Sequence, residues 1–373
     1  VLDALEGVFH QWLHLGHDPL LLKAVFASVL ANRWDGVPIW LMVVGSSGSG
    51  KSEVLMSLSG SDQVIAVSNL TPYALASSAK AQDDSLLFQL DKKVLVVEDM
   101  SSVSSMPKDA RNMLFSFLRA AYNGEFRRDT GRGSIEWKGK FGMLAGATLS
   151  IEQTRDMEST LGERFLYLRT HLSNGDERYI MRKARDNAAQ KTKMSESLRK
   201  TVRRFLASIK IDTTIRTLPS NAWVERYLED LAIALAKARS GVMRDTYGAR
   251  EIVFPAERGE LGTRLYNQLT LLALTAKQLG MEWVEIEELL MRMALDSVPY
   301  IRAKAMWTVF SGKKRTKDIG PEMRMSGTAT QRLLEELRNL EVLRYGQGVE
   351  HEIVDDIWSE AMNRLTPPVS LHS

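Results

Sequence analysis

The stretch Gly45-Ser46-Ser47-Gly48-Ser49-Gly50-Lys51-Ser52, entered from the apolar run Val37–Val44 and left through Glu53–Leu58, decides the fold. It fits the phosphate-loop pattern at every required position. Glycine lets the chain turn tightly enough for successive amide N–H groups to point inward at bound phosphates. Lys51 adds a positive charge, and Ser52 brings a hydroxyl of the kind that ligates Mg²⁺. The helix expected to open at this point adds its positive end. A plain Gly/Ser linker gives no reason for Lys-Ser at that spacing, after a buried-type strand and before a helix.

Working outward, Val37–Val44 reads as a strand buried on both faces, as in a parallel sheet. Val64–Val67, Val94–Val97, Phe141–Ala147 and Phe165–Arg169 are further strands. Between and before them lie helical patterns over Leu2–Leu15, Asp18 to about Asn32, from Thr71-Pro72, and Pro107–Tyr122. Strands alternating with helices imply an α/β layer on a parallel sheet. Beyond residue 172 the pattern is helical: Asp176–Ile209, Asn221–Ser240 and Leu261–Gly280. The expected division is 1–36 (N-terminal helices), 37–172 (the α/β core), 173–280 (a helical lid and connector) and 281–373 (a C-terminal domain).

Five further residues complete a candidate catalytic set with Lys51. Val94–Val97 ends in Glu98-Asp99, and a phosphate-loop enzyme needs an acid at a neighbouring strand tip to hold Mg²⁺ and orient water. Of the two, Asp99 is the stronger metal candidate beside Ser52, and either can polarise water. Thr148 ends the fourth strand, where a polar side chain can sense a terminal phosphate. Arg164, just before the fifth strand, is placed to reach a nucleotide bound by a neighbouring subunit. Arg264, opening the helix Leu261–Gly280, is a second sensing arginine. The bland alternative for each arginine is a surface ion pair.

In this order, GSSGSGKS (Gly45–Ser52), VLVVEDMSSVSSM (Val94–Met106), GMLAGAT (Gly142–Thr148), LGERFLYLR (Leu161–Arg169) and GTRLYNQL (Gly262–Leu269) resemble the AAA+ superfamily of ATPases. Within it, the chain is similar to minichromosome-maintenance-like helicase ATPases of phages and mobile elements, over roughly residues 20–280. The resemblance implies an AAA+ parallel sheet with helices on both faces, a helical lid, ATP and Mg²⁺ as cofactors, and a homo-oligomeric ring, most simply a hexamer. Three departures stand out: Thr148 where asparagine is usual, Glu98-Asp99 in inverted order, and no N-terminal oligonucleotide-binding domain with zinc cysteines.

The segment from Gly124 to Lys138 reads as a β-hairpin with a Gly-rich tip, in the position where the resembled helicases carry a pore hairpin. Arg127, Arg128, Arg132, Lys138 and Lys140 are candidates for phosphate contacts, and Phe126 or Trp137 for stacking on bases. The alternative is an exposed hairpin with solvated charges. Near the C-terminus, a short helix from Thr316 interrupted at Gly320-Pro321, a helix Gln331–Leu340 capped by Ser326–Thr330, and a strand–turn–strand from Val342 suggest a winged helix. Thr328, Thr330, Gln331 and Arg332 would then lie at the exposed start of its second helix. Glu335 and Glu336 weigh toward protein docking instead.

Composition bounds these readings. There is no cysteine, which excludes disulfides, thiolate metal sites and a cysteine nucleophile. The longest apolar run, Ile39–Val44, is far short of the roughly 18 residues of a membrane span, so no membrane partner and a cytoplasmic location are expected. The chain begins at Val1 without a cleavable signal, which suggests a fragment. Net charge is only +3, yet Met181–Arg216 holds 11 Lys/Arg against 3 Asp/Glu. That helix is a solvated face, a subunit boundary or a DNA path. His10, His14 and His17 have no carboxylate at ligand spacing and read as helix surface, and Met281, Met291 and Met293 as core. The leading expectation is a ring-forming ATPase that moves along single-stranded or forked DNA. Its rival is an ATP-gated oligomeric regulator acting on protein partners.

Overall fold

The computed structural model describes residues 2–15, 18–76, 85–130, 133–152, 164–170, 176–215, 217–218, 222–245, 252–254, 261–346 and 350–365. The chain divides into two units, Val1–Arg216 with Leu271–Trp283, and Thr217–Thr270 with Val284–Ser373. The region expected as a lid, 173–280, therefore contributes to both.

In the first unit, α1 (Leu2–Trp12) and α2 (Leu20–Ala31) precede β1 (Trp40–Val44), α3 (Lys51–Ser57), β2 (Val64–Val67), the short α4 (Pro72–Leu75) and β3 (Val94–Val97). Then come α5 (Lys108–Tyr122), a hairpin of β4 (Glu125–Thr130) and β5 (Gly133–Lys138), β6 (Gly142–Ala147), β7 (Leu166–Arg169), α6 (Asp176–Asn187) and α7 (Lys191–Ser208). The expected α/β layer is present: a five-stranded parallel sheet in the order β2-β3-β6-β1-β7. All of β1, β3, β6 and β7 is buried, which explains their largely apolar sequences; the exception, Arg169 at the end of β7, is paired with Glu152 at 2.6 Å. Side chains alternate faces along β1. Trp40, Met42 and Val44 join the cluster with Leu114, Phe115 and Leu118 of α5, while Leu41 and Val43 lie on the opposite face, toward α2.

Boundaries shift for identifiable reasons. The first strand starts at Trp40 instead of Val37, because Pro38 has no N–H and the Ile39 amide donates to Asn32 Oδ1 at 2.9 Å. The single helix expected over Asp176–Ile209 is two, α6 and α7, separated by the turn Ala188–Gln190, with Asn187 donating to the Trp12 carbonyl at 2.6 Å.

The second unit is mainly helical: α8 (Ala222–Arg239), a small pair β8 (Met243–Arg244) and β9 (Ile252–Phe254), α9 (Thr263–Gln278), α10 (Trp283–Ser297) and α11 (Tyr300–Phe310). Then follow α12 (Thr316–Met323), α13 (Gly327–Asn339), the antiparallel β10 (Leu343–Tyr345) and β11 (His351–Ile353), and α14 (Asp356–Arg364). The unit boundary falls within α9. Helix α12 runs through Pro321 instead of stopping there, and ends at Arg324 in the left-handed region (φ 53°). Ser326 alone caps α13, accepting from the Ala329 amide at 3.3 Å, so the helix starts four residues before the expected Gln331. Met291 and Met293 are core, as expected. Among the described residues no helix is long and apolar enough to cross a membrane.

His351 is buried and ties β11 to α12 and α13. Arg338 lies 3.4 Å from its Nδ1, Thr316 Oγ1 lies 3.3 Å from its Nε2, and its amide donates to the Lys314 carbonyl at 2.8 Å. Burial, then the Arg338 charge, hold its pKa below the usual histidine value. Because the folded-state pKa is depressed, the neutral ring stabilises the fold above the ordinary histidine pKa, and that contribution is lost as pH falls through the folded value. Thermal denaturation followed from pH 7.5 to 5 should show the second unit losing stability on acidification, and His351→Gln should flatten that dependence.

Candidate functional site

The loop after β1 is built as its sequence requires. Gly48 and Gly50 take φ of 80° and 83°, the left-handed region that glycine enters without penalty. Gly50 is the N-cap of α3. Among the described residues, the amides of Gly48, Gly50, Lys51 and Ser52 donate to no backbone carbonyl, which leaves N–H groups of this loop for a ligand. The Ser49 hydroxyl is buried and has no hydrogen-bond partner among the described residues. Lys51 is buried and folds back to donate to the Ser46 carbonyl at 3.0 Å. Burial lowers its pKa, and Asp99 and then Glu53 pull it back up.

Two cavities flank this loop, both within the first unit. The larger, of about 410 Å³, is lined by Gly48, Gly50 and Glu53, by Trp12–His14 after α1, and by Ile180, Lys183, Ala184 and Asn187 of α6. That size suits a small-molecule ligand. Its roof is tied down by α6: Lys183 Nζ donates to the carbonyls of His10 (3.1 Å) and Gln11 (2.7 Å), and Asn187 to that of Trp12. His14, read from sequence as a surface residue without a carboxylate, instead sits 2.7 Å from the buried Asp176. The chain distance of 162 residues hid that partner. The indole N–H of Trp12 is buried and has no partner among the described residues.

The smaller cavity, of about 210 Å³, brings Ser52 and Glu53 together with Glu98 and with Lys191, Ser195 and Arg199 of α7. Glu98, and not Asp99, thus shares a cavity with the expected metal-side serine. Asp99 Oδ1 accepts from the Ser101 amide at 2.8 Å. Beyond it runs a chain of hydroxyls: Ser101 Oγ accepts from the Thr148 amide at 2.8 Å and lies 3.0 Å from Thr148 Oγ1, which lies 2.8 Å from Ser150 Oγ. Thr148 is therefore held between two serines that the sequence reading did not single out. The signal for Ser101 was the serine-rich run following Asp99, and for Ser150 only its place two residues after Thr148. Among the described residues no cluster of three metal-ligating side chains occurs, so a metal here would need ligands from the nucleotide or from water.

The remaining expected residues divide. Arg164 is buried against its own chain, donating to Asn123 Oδ1 at 3.3 Å with its guanidinium 5.3 Å from the Tyr122 ring centre. Arg264 belongs to the second unit and is half-buried there. The hairpin exists, with Phe126 opposite Trp137 and Arg127 opposite Glu136. Phe126 and Trp137 are buried in the core cluster, so they are not available to stack on bases. Arg127 pairs with Glu136 (3.2 Å) and Asp129 (3.6 Å), and Lys138 with Glu125 (3.1 Å). Arg128 folds back over the Phe117 ring, and Lys140 donates inward to the Trp34 carbonyl. Arg132 lies outside the described residues.

At the expected exposed start of α13, Thr328 and Gln331 are exposed, but Thr330 is buried and its hydroxyl donates to the Ser326 carbonyl at 2.9 Å. The helix starts earlier than its apolar spacing suggested, which rotates Thr330 inward. Arg332 is half-buried, and its carbonyl accepts from Arg244, which also grips Glu335 and Glu336 at 2.9 Å each.

No protein-family model matches this chain, and no curated protein does. The site therefore stands on its geometry. Ser101→Ala should destabilise the first unit by about 1–3 kcal/mol, because it leaves the Thr148 amide without its acceptor. Ser150→Ala, which removes only a hydroxyl contact, should cost less, both being read from urea denaturation midpoints.

Proposed function

We propose that this chain is a Mg²⁺-dependent ATPase of the AAA+ kind. The carrying observation is the loop Gly45–Ser52, with amides that donate to no backbone carbonyl, at the tip of β1 and beside a cavity shared by Ser52 and Glu98. The strand order supports the AAA+ reading: counted along the core strands, it is 5-1-4-3-2, with the hairpin inserted before the fourth. Mg²⁺, when bound, would neutralise charge between the last two phosphates. The chain's own residues supply the rest. Loop amides and Lys51 hold the phosphates, Lys51 first exchanging the Ser46 carbonyl for a phosphate oxygen. Ser52 and Glu98 face the metal, and Asp99 beside Lys51 orients water. Thr148 senses the terminal phosphate through its hydroxyl. The base fits the larger cavity, where the Trp12 N–H awaits an acceptor.

In this reading the enzyme assembles as a homo-oligomeric ring and moves along DNA, with Arg164 acting on the neighbouring subunit's ATP after leaving Tyr122 and Asn123. The second unit would hold the C-terminal winged helix, with Thr328 and Gln331 outward. One observation favours the rival, an ATP-gated regulator working on protein partners: the hairpin's outer charges are already paired with Glu125, Asp129 and Glu136.

Lys51→Ala should abolish ATP binding. Arg164→Ala should leave binding intact and reduce hydrolysis by a factor on the order of 10³, as measured by phosphate release. Normal hydrolysis by Arg164→Ala would remove the finger assignment. Single-stranded DNA should stimulate turnover in the wild type, and Arg127→Ala/Lys138→Ala should lose that stimulation. A wild-type rate indifferent to DNA selects the regulator.

A further inference from the structure

Helix α7 carries a feature that the ATPase reading does not use. Lys191, Ser195 and Arg199 recur at every fourth position and so fall on one line along the helix. Beside that line, Met194 and Leu198 are buried and seat α7 on α3. The turn Leu58–Gly60 that follows α3 also packs closely on α7: a Cβ on Gly60 would lie 3.1 Å from the Arg199 carbonyl oxygen. The path of α7 along α3 is thus fixed by direct packing.

The line faces the smaller cavity, which is bipolar. Ser52, Glu53 and Glu98 form one wall, and Lys191 and Arg199 the other. Lys191 also lines the larger cavity beside Gly48 and Gly50, so it stands where the two meet. Arg199 is about 12 Å further along the helix axis, and helical side chains lean toward the N-terminus, which directs it back toward Ser52. Neither cation forms an ion pair or side-chain hydrogen bond among the described residues. The hairpin cations Arg127 and Lys138, by contrast, each have a carboxylate partner. A metal–phosphate pair is bipolar in the same sense, with its metal suited to the acidic wall and its phosphate oxygens to the cationic one.

We propose that Lys191 and Arg199 form a second phosphate-binding wall that holds the terminal phosphate of a nucleoside triphosphate, an inference that rests on the nucleotide reading above. The full chain would be titrated with a fluorescent nucleoside diphosphate and with a non-hydrolysable triphosphate analogue, both with Mg²⁺. Lys191→Gln and Arg199→Gln should each weaken triphosphate binding about tenfold, the effect of one charge-assisted contact, and change diphosphate binding less than about twofold. Both side chains are exposed, so both variants should keep the wild-type circular dichroism spectrum. Lys191→Arg should retain triphosphate affinity. Triphosphate affinity unchanged in both Gln variants, or equal losses for both nucleotides, overturns the wall while leaving the loop reading in place. A wild-type chain that binds neither nucleotide overturns the loop reading, and the wall with it.

Discussion

Strand β1 is held on both edges, by β6 over its whole length and by β7 over Leu41–Val44, and every one of its side chains is buried. A strand so placed cannot slide without breaking two ladders and exposing its core residues. The loop that leaves it at Gly45 is therefore fixed in space before any ligand arrives. The neighbouring strand tips are brought just as close: a Cβ on Gly146 would lie 2.4 Å from the Glu98 carbonyl oxygen. Only glycine lets β6 come so near the acidic tip of β3, and that proximity lets Ser101 reach Thr148.

Much of this was legible in the residues. Four of the five strands are mostly apolar because they are buried on both faces, and the loop has a motif whose chemistry dictates its residue types. The paired Phe126 and Trp137 show the limit. Their alternation correctly indicated a hairpin, but which face meets the core depends on α5 and β6, far away in sequence. Thr330 failed for a related reason: the helix start was set from apolar spacing, whereas the Ser326 cap sets it four residues earlier. His14 and Asp176, and Lys191 and Glu98, meet only through the tertiary fold.

Charge gives the same lesson in another form. Read along the chain, the hairpin and the start of α13 look like sources of free cations or acids. In the fold, Glu125, Asp129 and Glu136 answer the hairpin's cations, and Arg244 answers Glu335 and Glu336. Cross-strand and exposed ion pairs of this type contribute little stability each, but they determine which side chains remain available to a partner. By that criterion α7, not the hairpin, presents unanswered positive charge next to the phosphate loop.

The roof of the larger cavity carries a consequence for how the protein is made. Its carbonyls come from His10, Gln11 and Trp12, and the side chains that fasten them, Lys183 and Asn187, follow more than 170 residues later. Closing so long a span is entropically slow and waits on the sheet between. During synthesis the phosphate loop emerges well before α6, so a nascent chain would own the loop while its roof is still open. The first helix must wait, unfastened, for α6.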